Sequence, residues 1–82
     1  MEDFINNFMI KKIAILGSTG SIGKSLLKIV SRDKKNFQIL FLSANKNYKE
    51  ILKQAKIFNV KNIIITNKKY FEIAKSKKIL KE

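Results

Sequence analysis

Lys11-Lys12-Ile13-Ala14-Ile15-Leu16-Gly17-Ser18-Thr19-Gly20-Ser21-Ile22-Gly23-Lys24-Ser25 is the stretch on which the fold of this chain turns. A short apolar run rich in β-branched residues breaks into a loop with glycine at every third position, and apolar residues at helical spacing follow at once. The pattern predicts a strand, a phosphate-binding loop and a helix. Gly17 falls where a parallel strand must turn sharply into the helix, and a residue without Cβ takes the backbone angles required. Gly20 lets the main chain approach a bulky anion, and Gly23 lets the helix lie close on its strand. The unsatisfied N–H groups of the first helical turn and the positive end of the helix dipole would then face a pyrophosphate, with the Thr19 and Ser21 hydroxyls as further donors.

The spacing is Gly-x-x-Gly-x-x-Gly, whereas the commonest dinucleotide fingerprint is Gly-x-Gly-x-x-Gly, so the surrounding strand and helix give the motif its meaning. A Walker A loop competes for the same residues. Ser18 to Ser25 reads Ser-x-x-x-x-Gly-Lys-Ser, with serine where that motif opens on glycine, and Gly17 stands one residue too early to replace it. A triphosphatase also needs an aspartate at the end of another apolar strand to hold Mg²⁺. The later strand candidates end in Leu42-Ser43 and Ile65-Thr66, without that acid.

With 82 residues there is room for one small domain and for only half of a six-stranded dinucleotide fold. Cysteine and histidine are both absent, which excludes disulfides, thiolate metal sites and His-based triads or zinc sites within this sequence. No apolar run approaches the roughly 20 residues needed to cross a bilayer. Residues 1–8 are acidic and do not read as a signal peptide. A soluble cytoplasmic protein is the default expectation. The net charge of +12 raises nucleic acid or an anionic membrane as a partner. The seventeen lysines, however, are spread through every segment beside a single arginine, Arg32, amid much isoleucine and asparagine. These three residue types come from A/T-rich codons, so genome composition explains the charge, and the near absence of arginine argues against phosphate and base recognition. The expectation is no nucleic acid and no membrane.

Met9-Ile10-Lys11-Lys12 looks like a natural beginning, which makes residues 1–8 an extension and residues 9–82 a partial NADPH-type Rossmann domain. After the loop, Ile22, Leu26, Leu27, Ile29 and Val30 recur at helical spacing and are expected as core, with Lys24, Lys28 and Arg32 elsewhere. Residues 37–42, Phe-Gln-Ile-Leu-Phe-Leu, read as a nearly continuous apolar strand of the kind covered on both faces. A second helix starts near Asn47 as its cap, with Ile51, Leu52, Ala55 and Phe58 as its stripe and Lys49, Lys53 and Lys56 outside. Residues 60–66 supply a third strand. Residues 70–80 then look helical, burying Phe71, Ala74, Ile79 and Leu80, with Lys75, Lys77 and Lys78 as a solvated face. The fold class is α/β: β-α-β-α-β-α, half of a doubly wound Rossmann-type parallel sheet with strand order 3-2-1. Strand one would have a bare edge, which suggests a fragment or truncated reading frame.

One further position is informative. About 20 residues after the last glycine, NAD-binding folds place an Asp or Glu on the adenosine ribose. Here that count lands at Ser43, and Ser43-Ala44-Asn45-Lys46-Asn47 contains no acid. An acid would repel a 2′-phosphate; hydroxyl, amide and ammonium groups would hold one, so the segment favours NADP over NAD.

Taken together, residues 13–23, Phe37, Leu42-Ser43-Ala44-Asn45-Lys46-Asn47, and Gln54 with Phe58 closely resemble the N-terminus of the 1-deoxy-D-xylulose 5-phosphate reductoisomerase family. The resemblance runs from about Met9 to the end of the chain. It implies that Thr19, Gly20, Ser21 and Ile22 contact the NADPH pyrophosphate and that Lys46 and Asn47 lie by its 2′-phosphate. It implies an NADPH-dependent enzyme of the non-mevalonate route to isoprenoids that rearranges and reduces 1-deoxy-D-xylulose 5-phosphate to 2-C-methyl-D-erythritol 4-phosphate. It also implies Mg²⁺ or Mn²⁺ on the sugar-phosphate substrate and a homodimer, with catalytic and metal-binding residues in later segments and none here. Asn45 departs from the family, which often has glycine there; asparagine tolerates left-handed backbone angles better than most residues. Other readings stay open on the residues alone: a short-chain dehydrogenase fragment, a P-loop-like nucleotide binder, or a small basic nucleic-acid-binding module.

Overall fold

A computed structural model describes residues 10–76. The expected extension 1–8 and start at Met9, and the side chains of Lys77, Lys78, Ile79 and Leu80, lie outside these residues. The chain runs β1 (Lys11–Ile15), α1 (Ser21–Ser31), a 3-10 turn (Lys34–Asn36), β2 (Phe37–Ala44), α2 (Tyr48–Phe58), β3 (Ile63–Ile65) and α3 (Lys68–Ser76). The three strands form one parallel sheet in the order β1-β2-β3, the arrangement expected from the sequence. Lys11 stands opposite Phe37 and Ile15 opposite Leu42, with a slip in register between Ile13 and Ala14. Leu42 in turn stands opposite Ile63, so it occupies the middle of the sheet and is 0% exposed.

The core joins Ile15, Ile39, Leu42, Ala44 and Ile65 of the sheet to Leu27 and Val30 of α1, Ile51 of α2, Val60 just after α2, and Ala74 of α3. Helix ends follow local chemistry. Asn47 caps α2, its side-chain oxygen accepting from Glu50 N, and Asn67 does the same for α3 through Tyr70 N. Asn59 closes α2 in the left-handed conformation (φ 55°), and the next amide, Val60 N, donates back to Ala55 O. That closure places Val60 in the core as part of the helix end, so β3 is Ile63–Ile65, shorter than the expected 60–66. At the other side β2 continues to Ala44, two residues beyond the apolar run.

Two expectations about burial are corrected. In α1 only Gly23, Leu27 and Val30 are buried, while Ile22, Leu26 and Ile29 are 78%, 44% and 56% exposed. The two sets are offset by one residue, which rotates them about 100° around the helix. One arc meets the core, and the other is left uncovered among the described residues. Likewise, among the described residues one face of the sheet is partly open: Leu40 and Ile64 are 43% and 46% exposed, and Ala14 is exposed, although the apolar run of β2 predicts a strand covered on both faces. Ile15, Ile39 and Ile65 alternate with these exposed neighbours, whereas Leu42, Ser43 and Ala44 are buried in succession, where Ser43 meets the β1–α1 loop.

Candidate cofactor site at the strand ends

The site forms where β1 and β2 end. Gly17 has φ +66°, the left-handed region that favours glycine, and turns the chain out of β1. The loop that follows is held by buried polar groups. Gly17 N donates to Ser43 Oγ (3.1 Å) and Ser18 N donates to Ser43 O (2.8 Å), so one residue of β2 fixes two successive amides of the loop. Gly20 N donates to Gly17 O (3.0 Å), closing the turn. From α2, Gln54 Nε2 donates to Ser18 O (2.9 Å), with Ser18 0% and Gln54 5% exposed.

Gly23 is required by packing. A Cβ there would overlap Gly17 O and lie 2.6 Å from Ser18 Cα, both backbone atoms. The close approach expected of Gly23 is therefore to the loop as it leaves β1. Gly20 differs, because a Cβ there would meet only Gly17 O, at 3.4 Å. Gly20 is the N-cap of α1, without a side-chain capping bond and with no acidic residue in the first turn. Thr19, Gly20, Ser21 and Ile22 are thus brought together at a helix N-terminus whose amides and dipole favour an anion.

The second half of the site is the loop after β2. Thr66 N donates to Ala44 O and Asn67 N to Asn45 O (both 3.0 Å), which pins the loop to the end of β3. Lys46 and Asn47 are both exposed, three and four residues past Ser43. The hydroxyl, amide and ammonium groups expected to meet a phosphate here have different fates. Ser43 is buried with its hydroxyl turned into the first loop. Asn45 accepts from Thr66 Oγ1 through Oδ1 (2.9 Å), and its φ is not positive, the described left-handed residues being Gly17 and Asn59. Asparagine is accommodated at 45 by that hydrogen bond, and the left-handed freedom expected of it is not used. Asn47 spends its carbonyl oxygen on the α2 cap and keeps its Nδ2 donors, and Lys46 presents its ammonium at the rim.

The residues overlooked as builders of the site are Ser43 and Gln54. A signal existed in Gln54, an amide in the middle of an apolar helical stripe between Ile51 and Phe58. A hollow of about 490 Å³ lined by Val30, Phe37, Ile39, Phe58 and Asn62 lies at the other end of the sheet. Open α/β sheets bind at the carboxyl ends of their strands, so the loops are the candidate site and the hollow is not. Among the described residues no three His, Cys, Asp or Glu side chains come together to hold a metal ion, and no helix is long and apolar enough to cross a membrane.

Comparison with known proteins agrees with this geometry. The family model of 1-deoxy-D-xylulose 5-phosphate reductoisomerase matches residues 13–81. The chain is 64% identical over 63 residues to the reductoisomerase of Pelagibacter ubique, covering 77% of this chain and 16% of that protein. It is 47% identical over 57 residues to the reductoisomerase of Chloroherpeton thalassium, covering 70% of this chain and 15% of that one. Among solved structures, the Zymomonas mobilis reductoisomerase in complex with NADPH superposes with a TM-score of 0.75 at 33% identity, over 80% of this chain and 17% of its own. The chain thus spans about a sixth of the length of these relatives. With the match extending over most of its residues, the chain belongs to the 1-deoxy-D-xylulose 5-phosphate reductoisomerase family.

Proposed function

We propose that this chain supplies the NADPH-binding half-domain of a 1-deoxy-D-xylulose 5-phosphate reductoisomerase. The amides of Thr19, Ser21 and Ile22 and the hydroxyls of Thr19 and Ser21 receive the pyrophosphate, which Gly20 lets approach the main chain, and Lys46 with the Nδ2 group of Asn47 receives the adenosine 2′-phosphate. The observation that carries this reading is the pairing of an uncapped, acid-free helix start at Gly20 with an exposed lysine on the adjoining strand tip, in a chain that superposes on a reductoisomerase complexed with NADPH. The fit rests on this chain's own groups: Gly20 sits where packing leaves space, and Gly17, Ser18 and Ser43 hold the cradle in shape. The 78%-exposed side chain of Ile22 stands beside that cradle, where a nucleotide would cover it.

When bound, NADPH supplies a hydride; the residues here bind and orient it. The whole enzyme would rearrange and reduce 1-deoxy-D-xylulose 5-phosphate to 2-C-methyl-D-erythritol 4-phosphate as a cytoplasmic homodimer. In this reading the sugar phosphate, the Mg²⁺ or Mn²⁺ and the catalytic groups belong to other segments of such an enzyme. The described residues bring together no cluster of acidic, histidine or cysteine side chains that would hold the metal ion.

NADPH titration followed by nicotinamide fluorescence tests the assignment. Thr19→Asp puts a carboxylate where the pyrophosphate would lie and should abolish measurable binding. Lys46→Glu should weaken NADPH by roughly tenfold or more while changing NADH little, since a hydrogen-bonded ion pair is worth about 1.5–3 kcal/mol. Unchanged affinity in either variant would show that the residues are misassigned.

A further inference from the structure

Gln54 is a buried amide on α2 whose Nε2 donates to Ser18 O at 2.9 Å and whose Oε1 is buried without a partner among the described residues. The amide orientation is fixed by chemistry, because a carbonyl oxygen accepts only from the NH₂ end. An apolar side chain of the same length would fill this space and remove the unpaired Oε1, but it would leave the buried Ser18 carbonyl without its donor, so filling space alone does not explain a glutamine here. What the side chain does is hold one carbonyl of the loop toward the core.

That carbonyl determines where the next amide points. In a planar trans peptide the C=O of one residue and the N–H of the next are antiparallel. With Ser18 O drawn inward to α2, the Thr19 N–H is aimed outward, to the side on which Gly20, Ser21 and Ile22 stand. The preceding peptide is fixed separately, since Ser18 N donates to Ser43 O while Gly17 O accepts from Gly20 N. Only the Ser18–Thr19 plane depends on Gln54, and the two residues are 36 positions apart in sequence.

We propose that Gln54 is a positioning residue that, through the Ser18 carbonyl, sets the Ser18–Thr19 peptide plane and so aims the Thr19 N–H at the cofactor's pyrophosphate. This deepens the NADPH assignment above and rests on it. Gln54 touches no cofactor atom in this proposal; its effect passes through the backbone. It should therefore act on the diphosphate that NADPH and NADH share and leave preference for the 2′-phosphate alone.

The test is Gln54→Met in the full chain, which keeps length and bulk, removes the donor and also removes the unpaired oxygen. Thermal melting should fall only slightly, because the orphaned Ser18 carbonyl is offset in part by removal of the unpaired Oε1. Dissociation constants for NADPH and NADH should both rise by roughly tenfold, the worth of one misdirected hydrogen bond to a charged group, with their ratio constant. Hydrogen exchange should quicken at Ser18 and Thr19 with α2 protection retained. Gln54→Glu at about pH 8, which sets an acceptor against Ser18 O, should weaken both nucleotides further at constant ratio, with a larger loss of stability from the buried carboxylate. A Gln54→Met chain that binds both nucleotides as the parent does overturns the proposal. So does a loss of α2 protection or a fall in melting temperature matching the loss of binding, since either marks a packing role. If the parent chain binds neither nucleotide, the NADPH assignment itself falls, and this inference falls with it.

Discussion

The two loops at the carboxyl end of the sheet lie side by side and are built on opposite principles. Between β1 and α1, the chain is shaped by backbone: a left-handed Gly17, a Gly23 without room for Cβ, and buried bonds from Ser43 and Gln54. Between β2 and α2, it is shaped by side chains at the surface, with Asn45 tied to Thr66, Asn47 capping a helix and Lys46 exposed. A diphosphate asks for several amides at fixed angles, which only a rigid backbone provides. A terminal phosphate asks for charge, which an exposed lysine offers without a preformed cavity. The first loop should therefore fail by losing its fold and the second by losing its selectivity.

The sharpest way to break this contrast is Gly23→Ala. The added methyl would run into Gly17 O and Ser18 Cα, and neither can swing aside as a side chain would. Overpacking of this kind typically costs 1–3 kcal/mol, and with only backbone in the way the upper figure, about 3 kcal/mol, is expected. A shift in the urea midpoint at constant slope would measure it, and a change below about 1 kcal/mol would mean that α1 is not seated as closely on the loop as the structure has it.

Gly17→Ala sharpens the comparison within the first loop. Nothing lies within 4 Å of the Cβ position, so the cost is the left-handed backbone alone. A loss of about 1 kcal/mol is expected by the same measurement, partly restored in Gly17→Asn, because asparagine enters this region more readily. A larger loss in alanine than at Gly23 would reverse the assignment of steric and torsional roles.

What the sequence makes legible follows the same division. The strand, the glycine loop and the three helices are local features, and periodicity with turn residues marks them within a few positions. The α2 cap at Asn47 is local too. Ser43 and Gln54 are different: their bonds to Gly17 and Ser18 reach across 26 and 36 residues, and no spacing rule predicts which polar side chain turns inward. Ser43 was readable as a polar strand end but not as a strut, because its hydroxyl could equally have faced the nucleotide. The stripe of Ile22, Leu26 and Ile29 looks like core for a related reason. Helical spacing says that residues share an arc, and only the tertiary neighbours say whether anything lies opposite it.

The smallest expected change in stability belongs to the second loop and tests its double duty most finely. Asn47 accepts from Glu50 N at 3.3 Å, and aspartate caps as well as asparagine does. Asn47→Asp also places a negative charge at the positive end of α2, which is favourable, with Glu50 in the same turn as the opposing charge. Stability should therefore stay within about 0.5 kcal/mol of the parent, read by thermal melting. The nucleotide should respond differently. The substitution exchanges the Nδ2 donors for a carboxylate oxygen beside Lys46, so NADPH affinity should fall several-fold and NADH affinity should hold. If both nucleotides bind as before, Asn47 is a cap and nothing more, and the phosphate rests on Lys46 alone. If stability falls by more than about 1 kcal/mol, the amide's nitrogen is helping to hold the loop together, and the division between a backbone-built and a side-chain-built loop is less clean than the geometry implies.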